Sequence, residues 1–372
     1  MSYSPTQSYV PFNRPLFLGG EIENVKAAVQ GGSLGGNGDF TRRCQDFISQ
    51  LNGRGKVFLT TSCTSALEMA AMVLDIKQGD EVIVPSYTYV STINAWLLRG
   101  ATLVYVDINP GTMNIDHNLI EAAITSKTKV IVAVHYAGVA CDMDTIMSLA
   151  DKYDIYVVED AAQALTSTYK SRNLGSIGDI SCFSFHETKN FTSGGQGGAI
   201  SINDGSLLAR AEVVYDNGTN RLQFLQGLVN QYCWEDIGSN FFMSEVQAAY
   251  LWNQLERAPI VQKTRHKFWA RYAVHLQGLA DQGQIVFPSM PLGCTHNAHL
   301  FFFKVKSQDE RSAFIRYMKS RGIGLVSGRF VGEDQFTTSE SQRLVRLPLH
   351  FNMSVEEQDL VIAATVSFFN SC

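Results

Sequence analysis

Lys189 sits in the stretch FSFHETKNFTSGGQGGAI, preceded by the hydroxyls of Ser184 and Thr188 and followed by the amide of Asn190. A glycine-rich turn comes next, Gly194, Gly195, Gly197 and Gly198, and leads into an apolar strand. Desolvation of a lysine in such a turn favours the neutral, nucleophilic amine. That is the form that condenses with a carbonyl group to give a Schiff base. A solvated surface lysine beside a turn has the same local sequence, so its company upstream has to decide.

Apolar runs upstream end in polar or aromatic residues. VFLT leads to Ser62, Cys63 and Thr64; EVIVP to Ser86, Tyr87, Thr88 and Tyr89; VIVAV to His135 and Tyr136; IYVVE to Asp160 and Gln163; ISCFSF to His186 and Lys189. Open α/β sheets bind ligands beyond the carboxyl ends of their strands. Ser62 to Thr64 open a helix, whose free N–H groups and dipole favour an anion such as phosphate; an ordinary N-cap reads the same way. Asp160 is a lone carboxylate closing a buried strand, and it needs a cationic partner. A protonated pyridine nitrogen would serve, as would an arginine or lysine of the fold. Tyr89 suits either a flat ring or the core. His135 reads as a packing or supporting histidine unless a ring lies beside it. Phosphate cradle, ring platform, pyridinium partner and amine, in that chain order, together point to pyridoxal 5′-phosphate. A dinucleotide fingerprint is absent, because Thr60 to Ser65 contain no G-x-G-x-x-G.

The elements that must position these groups alternate from Lys56 onward, strand then helix. The strands are continuous apolar runs, which predicts a largely parallel sheet covered by helices on both faces. From about Ser244 the pattern predicts one long helical region, bent near Pro259. The strand LFFFKV, a helix over Asp309 to Arg321 and a final helix over Ser354 to Phe369 follow. The expected division is a large cofactor-binding α/β domain with an N-terminal arm, residues 1–250, and a small α+β domain, residues 251–372.

Composition narrows the classes further. The chain has 372 residues, 45% hydrophobic and 17% charged, with net charge -5. A general nucleic-acid footprint is not expected from that charge. Seven cysteines without a C-x-x-C pair argue against a disulfide framework or a metal site and for a reducing, cytoplasmic setting. The polar N-terminus is unlike a signal peptide, and no apolar run reaches membrane-spanning length.

The order TTSCTSALEMA, PSYTYVST, VHYAG, VVEDAAQ, FSFHETKN, GGQGGA and DIGSNFFMSEVQAA resembles the PLP-dependent nucleotide-sugar aminotransferases of the DegT/StrS type, from about Phe12 to the C-terminus. The resemblance implies a fold-type I aminotransferase that works as a homodimer with shared active sites. It implies transamination of dTDP-4-keto-6-deoxy-D-glucose with L-glutamate, giving dTDP-4-amino-4,6-dideoxy-D-galactose and 2-oxoglutarate. The implied setting is surface-polysaccharide assembly, such as enterobacterial common antigen or an O-antigen. By the same resemblance Lys189 carries the cofactor and moves the proton, Asp160 pairs with the ring nitrogen, Gln163 lies by the ring and Tyr89 stacks on it. Cys63, Thr64 and Ser184 hold the phosphate, and Asn240 reaches the phosphate of the other subunit's cofactor. Asn220 and Arg221 approach the neighbouring substrate site.

Several positions depart from the pattern. Many relatives have glycine at Cys63, arginine at Phe242 and glutamate at Gln196. Relatives also carry an H-Y-x-P-L-H loop after the Gly-Ile segment, whereas here Gly322 to Val326 run directly into Ser327, Gly328, Arg329 and Phe330. The expectation is a disordered loop missing from between these residues, the alternative a deletion. A dTDP-3-keto or GDP-4-keto sugar substrate stays open, as does a non-catalytic regulator on the same fold. A sugar dehydrase would resemble the family with histidine in place of Lys189.

Overall fold

Alternation along each strand sorts the core into two layers. Val57, Leu59, Ile83, Ile131, Ala133, Val157, Phe183 and Ala199 pack into one cluster. Their neighbours Phe58, Val82, Val84, Val130, Val132, Val158, Cys182 and Ile200 pack into a second. Successive side chains on a strand face opposite ways, so a run apolar at every position must be covered twice. The computed structural model, which describes residues 9–53, 55–325 and 334–371, shows the sheet that results.

Its strands are β1 (Lys56–Thr60), β2 (Glu81–Pro85), β3 (Thr102–Val106), β4 (Thr128–Val134), β5 (Tyr156–Asp160), β8 (Ile180–Ser184) and β9 (Gly198–Ile202); β6 (Thr168–Tyr169) and β7 (Arg172–Asn173) form a small hairpin between them. The order is β1-β9-β8-β5-β4-β2-β3. Only β9 runs against the others, pairing antiparallel with β1 and β8. The parallel pairings of β5 with β4 and β8 bring their carboxyl ends, and the residues after them, to one edge.

Two helices precede the sheet, α1 (Glu21–Gln30) and α2 (Asp39–Asn52). Neither was legible in the sequence, and α2 shows why. Its N-cap is Gly38, with no side-chain cap of its own. Instead Glu245, distant in sequence, accepts from Gly38 N, Phe40 N, Thr41 N and Thr41 Oγ1. Helices α3 (Cys63–Val73) and α4 (Val90–Leu97) pack against one another over the second cluster.

The single long helix expected after Ser244 is two helices, Glu245–Leu255 and Ala258–Asp281. Ser244 and Gln247 close a capping box on the first. Pro259 lies in the first turn of the second, where its missing N–H costs nothing, so it starts that helix instead of bending a longer one. The C-terminal part forms its own core around Phe301, Phe303, Phe314 and Phe369. There the strand Phe301–Lys304 pairs antiparallel with Leu344–Leu347. A helix absent from the expectation, Gln335–Arg343, docks on the end of β3, where Asp107 accepts from Phe336 N at 2.8 Å and Thr337 N at 2.9 Å.

The expected disordered loop is corrected by the sequence itself, which is continuous from Gly322 to Phe330, so the H-Y-x-P-L-H segment is deleted. Residues 326–333, where that expectation falls, lie outside those described.

Candidate active site

Consecutive residues at the end of β5 take opposite roles. Glu159 shares the parity of Val157 and faces the first cluster. It is fully buried and accepts from His135 Nε2 at 2.9 Å and from Gly175, Ile177 and Gly178 N at 2.7 Å each. His135 Nδ1 accepts from Cys141 N at 3.2 Å, so its proton is on Nε2. His135 is therefore a packing histidine committed to Glu159.

Asp160 shares the parity of Val158 and faces α3 and α4. It is 6% exposed. Its Oδ2 accepts from Thr92 Oγ1 at 2.7 Å and its Oδ1 from Ala162 N at 3.1 Å. Thr88 Oγ1 donates in turn to Thr92 Oγ1 at 2.9 Å. Among the described ion pairs no lysine or arginine reaches Asp160. A buried carboxylate with that surrounding is a ready acceptor for a cation brought in by a ligand.

The start of α3 is held open to the same space. Ser62 caps the helix by accepting from Ser65 N at 3.0 Å, and Thr61 and Ser62 hydroxyls both meet Ser65 Oγ. Thr64 Oγ1 donates to Ser91 Oγ at 2.8 Å. The cradle depends on Gly198 of β9. A Cβ there would lie 2.4 Å from both Cys63 N and Ser62 C. Free N–H groups, five hydroxyls and a closely packed glycine strand make a site for a phosphate monoester.

Lys189 lies in the turn after β8, its N–H donating to His186 O at 2.9 Å. Lys189 is half-buried, and desolvation is the largest influence on its ammonium, lowering it from the ordinary lysine range. Arg346 pushes the same way, while Cys63 and Asp160 oppose. Those last two influences show that the amine feels both the start of α3 and Asp160. Burial and then Asp160 push the Cys63 thiol up, and Lys189 counters them. Ser184 Oγ accepts from His186 N at 3.4 Å at the same strand end.

The remaining expected residues are spread differently. Gln163 Oε1 accepts from Ala137 N at 2.7 Å, which fixes it at the β4–β5 edge. Tyr89 caps α4 with 65% of its surface exposed. Asn240 is exposed, its Oδ1 accepting from Phe242 N at 3.3 Å. Asn220 is 3% exposed and its amide is consumed within its own loop, by Gln231 O, Cys233 and Glu235. Arg221 meets Asp216 at 3.4 Å. Within one chain, Cys63, Thr64, Asp160, Ser184 and Lys189 converge, while Asn220, Arg221 and Asn240 lie on the loop beyond.

Three contributors escaped the sequence reading. Thr92, four residues after Thr88, could have been found from that spacing. Arg346, from the strand Leu344–Leu347, donates to Tyr136 Oη at 3.0 Å and Tyr87 Oη at 3.2 Å, and had no local signal. His299, hydrogen-bonded to Asn190 at 2.9 Å, had none either.

A mostly parallel sheet with an amine of lowered pKa, a buried strand-end carboxylate and an anion cradle at its carboxyl edge defines a fold-type I aminotransferase. The chain belongs to the DegT/DnrJ/EryC1/StrS aminotransferase family, whose model matches residues 19–366. It is 33% identical over 379 residues to the spore coat polysaccharide biosynthesis protein SpsC of Bacillus subtilis, covering 96% of each chain. It resembles the aminotransferase of Psychrobacter cryohalolentis with a TM-score of 0.90 at 28% identity, covering 98% of this chain and 99% of that one. The putative sugar aminotransferase Spr1654 of Streptococcus pneumoniae, in its PLP form, gives a TM-score of 0.87 at 28% identity, covering 98% and 99%. Among the described residues no helix is long and apolar enough to cross a membrane, and no cluster of three or more His, Cys, Asp or Glu could hold a metal ion.

Proposed function

We propose that the protein is a PLP-dependent nucleotide-sugar aminotransferase that converts dTDP-4-keto-6-deoxy-D-glucose and L-glutamate to dTDP-4-amino-4,6-dideoxy-D-galactose and 2-oxoglutarate. The carrying observation is that Lys189 follows β8 at the same sheet edge as the buried Asp160 carboxylate and the start of α3, with desolvation lowering the pKa of its amine. Spr1654, described in PLP and PMP forms, supports the cofactor. SpsC, a polysaccharide biosynthesis protein, supports a sugar acceptor. The stretches TMNID and HYAGVACDMDTIM support the 4-keto, dTDP-linked substrate by resemblance.

When bound, the cofactor supplies an aldehyde and an electron-withdrawing ring. The chain supplies the rest. Backbone groups of Cys63 and Thr64 and the Ser184 hydroxyl hold the phosphate. Asp160, aligned by Thr92 and Ala162, holds a proton at the ring nitrogen. Tyr89 and Gln163 would line the cofactor ring. Lys189 Nζ takes the proton from the α-carbon of glutamate and later delivers one to C4 of the sugar, a task suited to an amine of lowered pKa. Asn240, and the loop carrying Asn220 and Arg221, serve a second subunit's site in a cytoplasmic homodimer. Residues 1–250 and 251–372 form its large and small domains.

Adding the cofactor should give a red-shifted absorbance band that Lys189→Ala lacks, together with loss of all turnover. Steady-state transamination by that variant would end the assignment. Product NMR with 4-keto dTDP, 3-keto dTDP and GDP sugars fixes the substrate.

A further inference from the structure

Asn190 directly follows Lys189 and is 5% exposed. Its Nδ2 donates to Asn297 O at 2.9 Å. Only the nitrogen of an amide can face a carbonyl oxygen, so this bond orients the group. Asn190 Oδ1, 2.9 Å from His299 Nδ1, must then accept, and Nδ1 carries the imidazole proton. Burial, then Lys189, Arg265 and Arg346, hold the His299 imidazolium well below its usual range, which keeps the ring neutral. The tautomer is thus dictated from the Asn297 side.

The segment carrying His299 is fixed independently. Asn297 Nδ2 donates to the carbonyls of Gln163 and Leu165 at 2.9 Å each, and its Oδ1 accepts from His299 N at 3.1 Å. Buried Arg265, from the helix Ala258–Asp281, donates to the carbonyls of Ala298 at 3.1 Å and His299 at 2.8 Å. The residue after Lys189 is therefore tied to the C-terminal part of the chain, more than a hundred residues away.

We propose that His299 is a positioning residue: by donating from Nδ1 to Asn190 Oδ1 it anchors the Lys189 turn and limits the exposure of the amine. Lys189 lies in a short turn ahead of a glycine-rich segment. Lys189 is half-buried, and a turn released from Asn190 leaves its side chain more exposed, so the desolvation that lowers its pKa weakens. The inference rests on the reading of Lys189 as the reactive amine.

The test uses the full-length cofactor-free protein. Acetylation of Lys189 by acetic anhydride is followed against pH by mass spectrometry. His299→Leu and Asn190→Ala should each raise the midpoint by about one pH unit or more, a tenfold smaller neutral fraction below the midpoint. His299→Asn, whose Nδ2 takes the place of Nδ1, should keep the wild-type midpoint. His299→Gln, with its donor at the Nε2 position, should follow His299→Leu. Lys304, buried and paired with Glu340, reports on general loosening and should not change. Unshifted midpoints in His299→Leu and Asn190→Ala, equal shifts in His299→Asn and His299→Leu, or a parallel change at Lys304 would each overturn the proposal. An ordinary lysine midpoint for Lys189 in the wild type would instead overturn the reading of the active site.

Discussion

Thr92→Val is a near-isosteric change that removes one hydroxyl from beside Asp160. The wild-type Oγ1 lies 2.7 Å from Asp160 Oδ2, in a place where the carboxylate is only 6% exposed. A hydrogen bond to a charged group contributes about 1.5–3 kcal/mol, and a buried acceptor left without its donor loses that much or more. Thr88 Oγ1, 2.9 Å from Thr92, loses its acceptor as well. The cofactor-free variant should therefore be less stable by about 2–4 kcal/mol. Thr92→Ser, which keeps the hydroxyl, should lie within about 1 kcal/mol of wild type, the loss of a methyl. Urea unfolding followed by tryptophan fluorescence suits the measurement, since Trp96 is fully buried one turn along the same helix. Wild-type stability in Thr92→Val would refute the reasoning, because it would mean that Asp160 does not depend on α4.

Two further perturbations address other parts of the site. Gly198→Ala drives a Cβ to 2.4 Å from backbone atoms of Ser62 and Cys63, so β9 and α3 must separate, at about 1–3 kcal/mol or more. Titration followed by absorbance should show cofactor affinity reduced about fivefold or more, the equivalent of about 1 kcal/mol, while Gly205→Ala, which meets nothing within 4 Å, should leave it unchanged. Glu159→Gln tests the other face. Burial raises the Glu159 pKa, but His135 and the N–H groups of Gly175 and Gly178 outweigh it, and the net value is lowered. A carboxyl depressed in the folded state stabilises above its unfolded value, about pH 4.3, and that contribution disappears as the pH falls through the folded value. Placing an amide NH2 among four donors should cost about 3 kcal/mol or more near pH 7. Urea stability measured from pH 7 to 3 should show the gap between wild type and variant narrowing below about pH 4.3. A gap constant with pH would refute the assignment of charge to Glu159.

The legible part of the site consists of residues contiguous with their own strand. Asp160 closes β5, Ser62 to Thr64 follow β1, and Lys189 follows β8 within five residues. In each case a local apolar run and its polar end share one stretch of chain, and a parallel sheet brings such ends together. Helix α2 was illegible because its cap comes from Glu245, 204 residues away from Thr41. The break between the helices Glu245–Leu255 and Ala258–Asp281 was misplaced because Pro259 is acceptable in a first turn. Gly198 was visible as part of a glycine-rich turn, but its reason, contact with Cys63 N, was not.

By itself the chain's sequence determined the alternation of strands and helices and the polar residues at the strand ends. These are properties of neighbouring residues, set by side-chain period and capping chemistry. The tertiary structure alone decided that Thr92 supports Asp160, that His135 is spent on Glu159, and that His299 reaches Asn190. Each of those contacts depends on how separate elements pack, and no local pattern encodes the distance between side chains brought together from different elements.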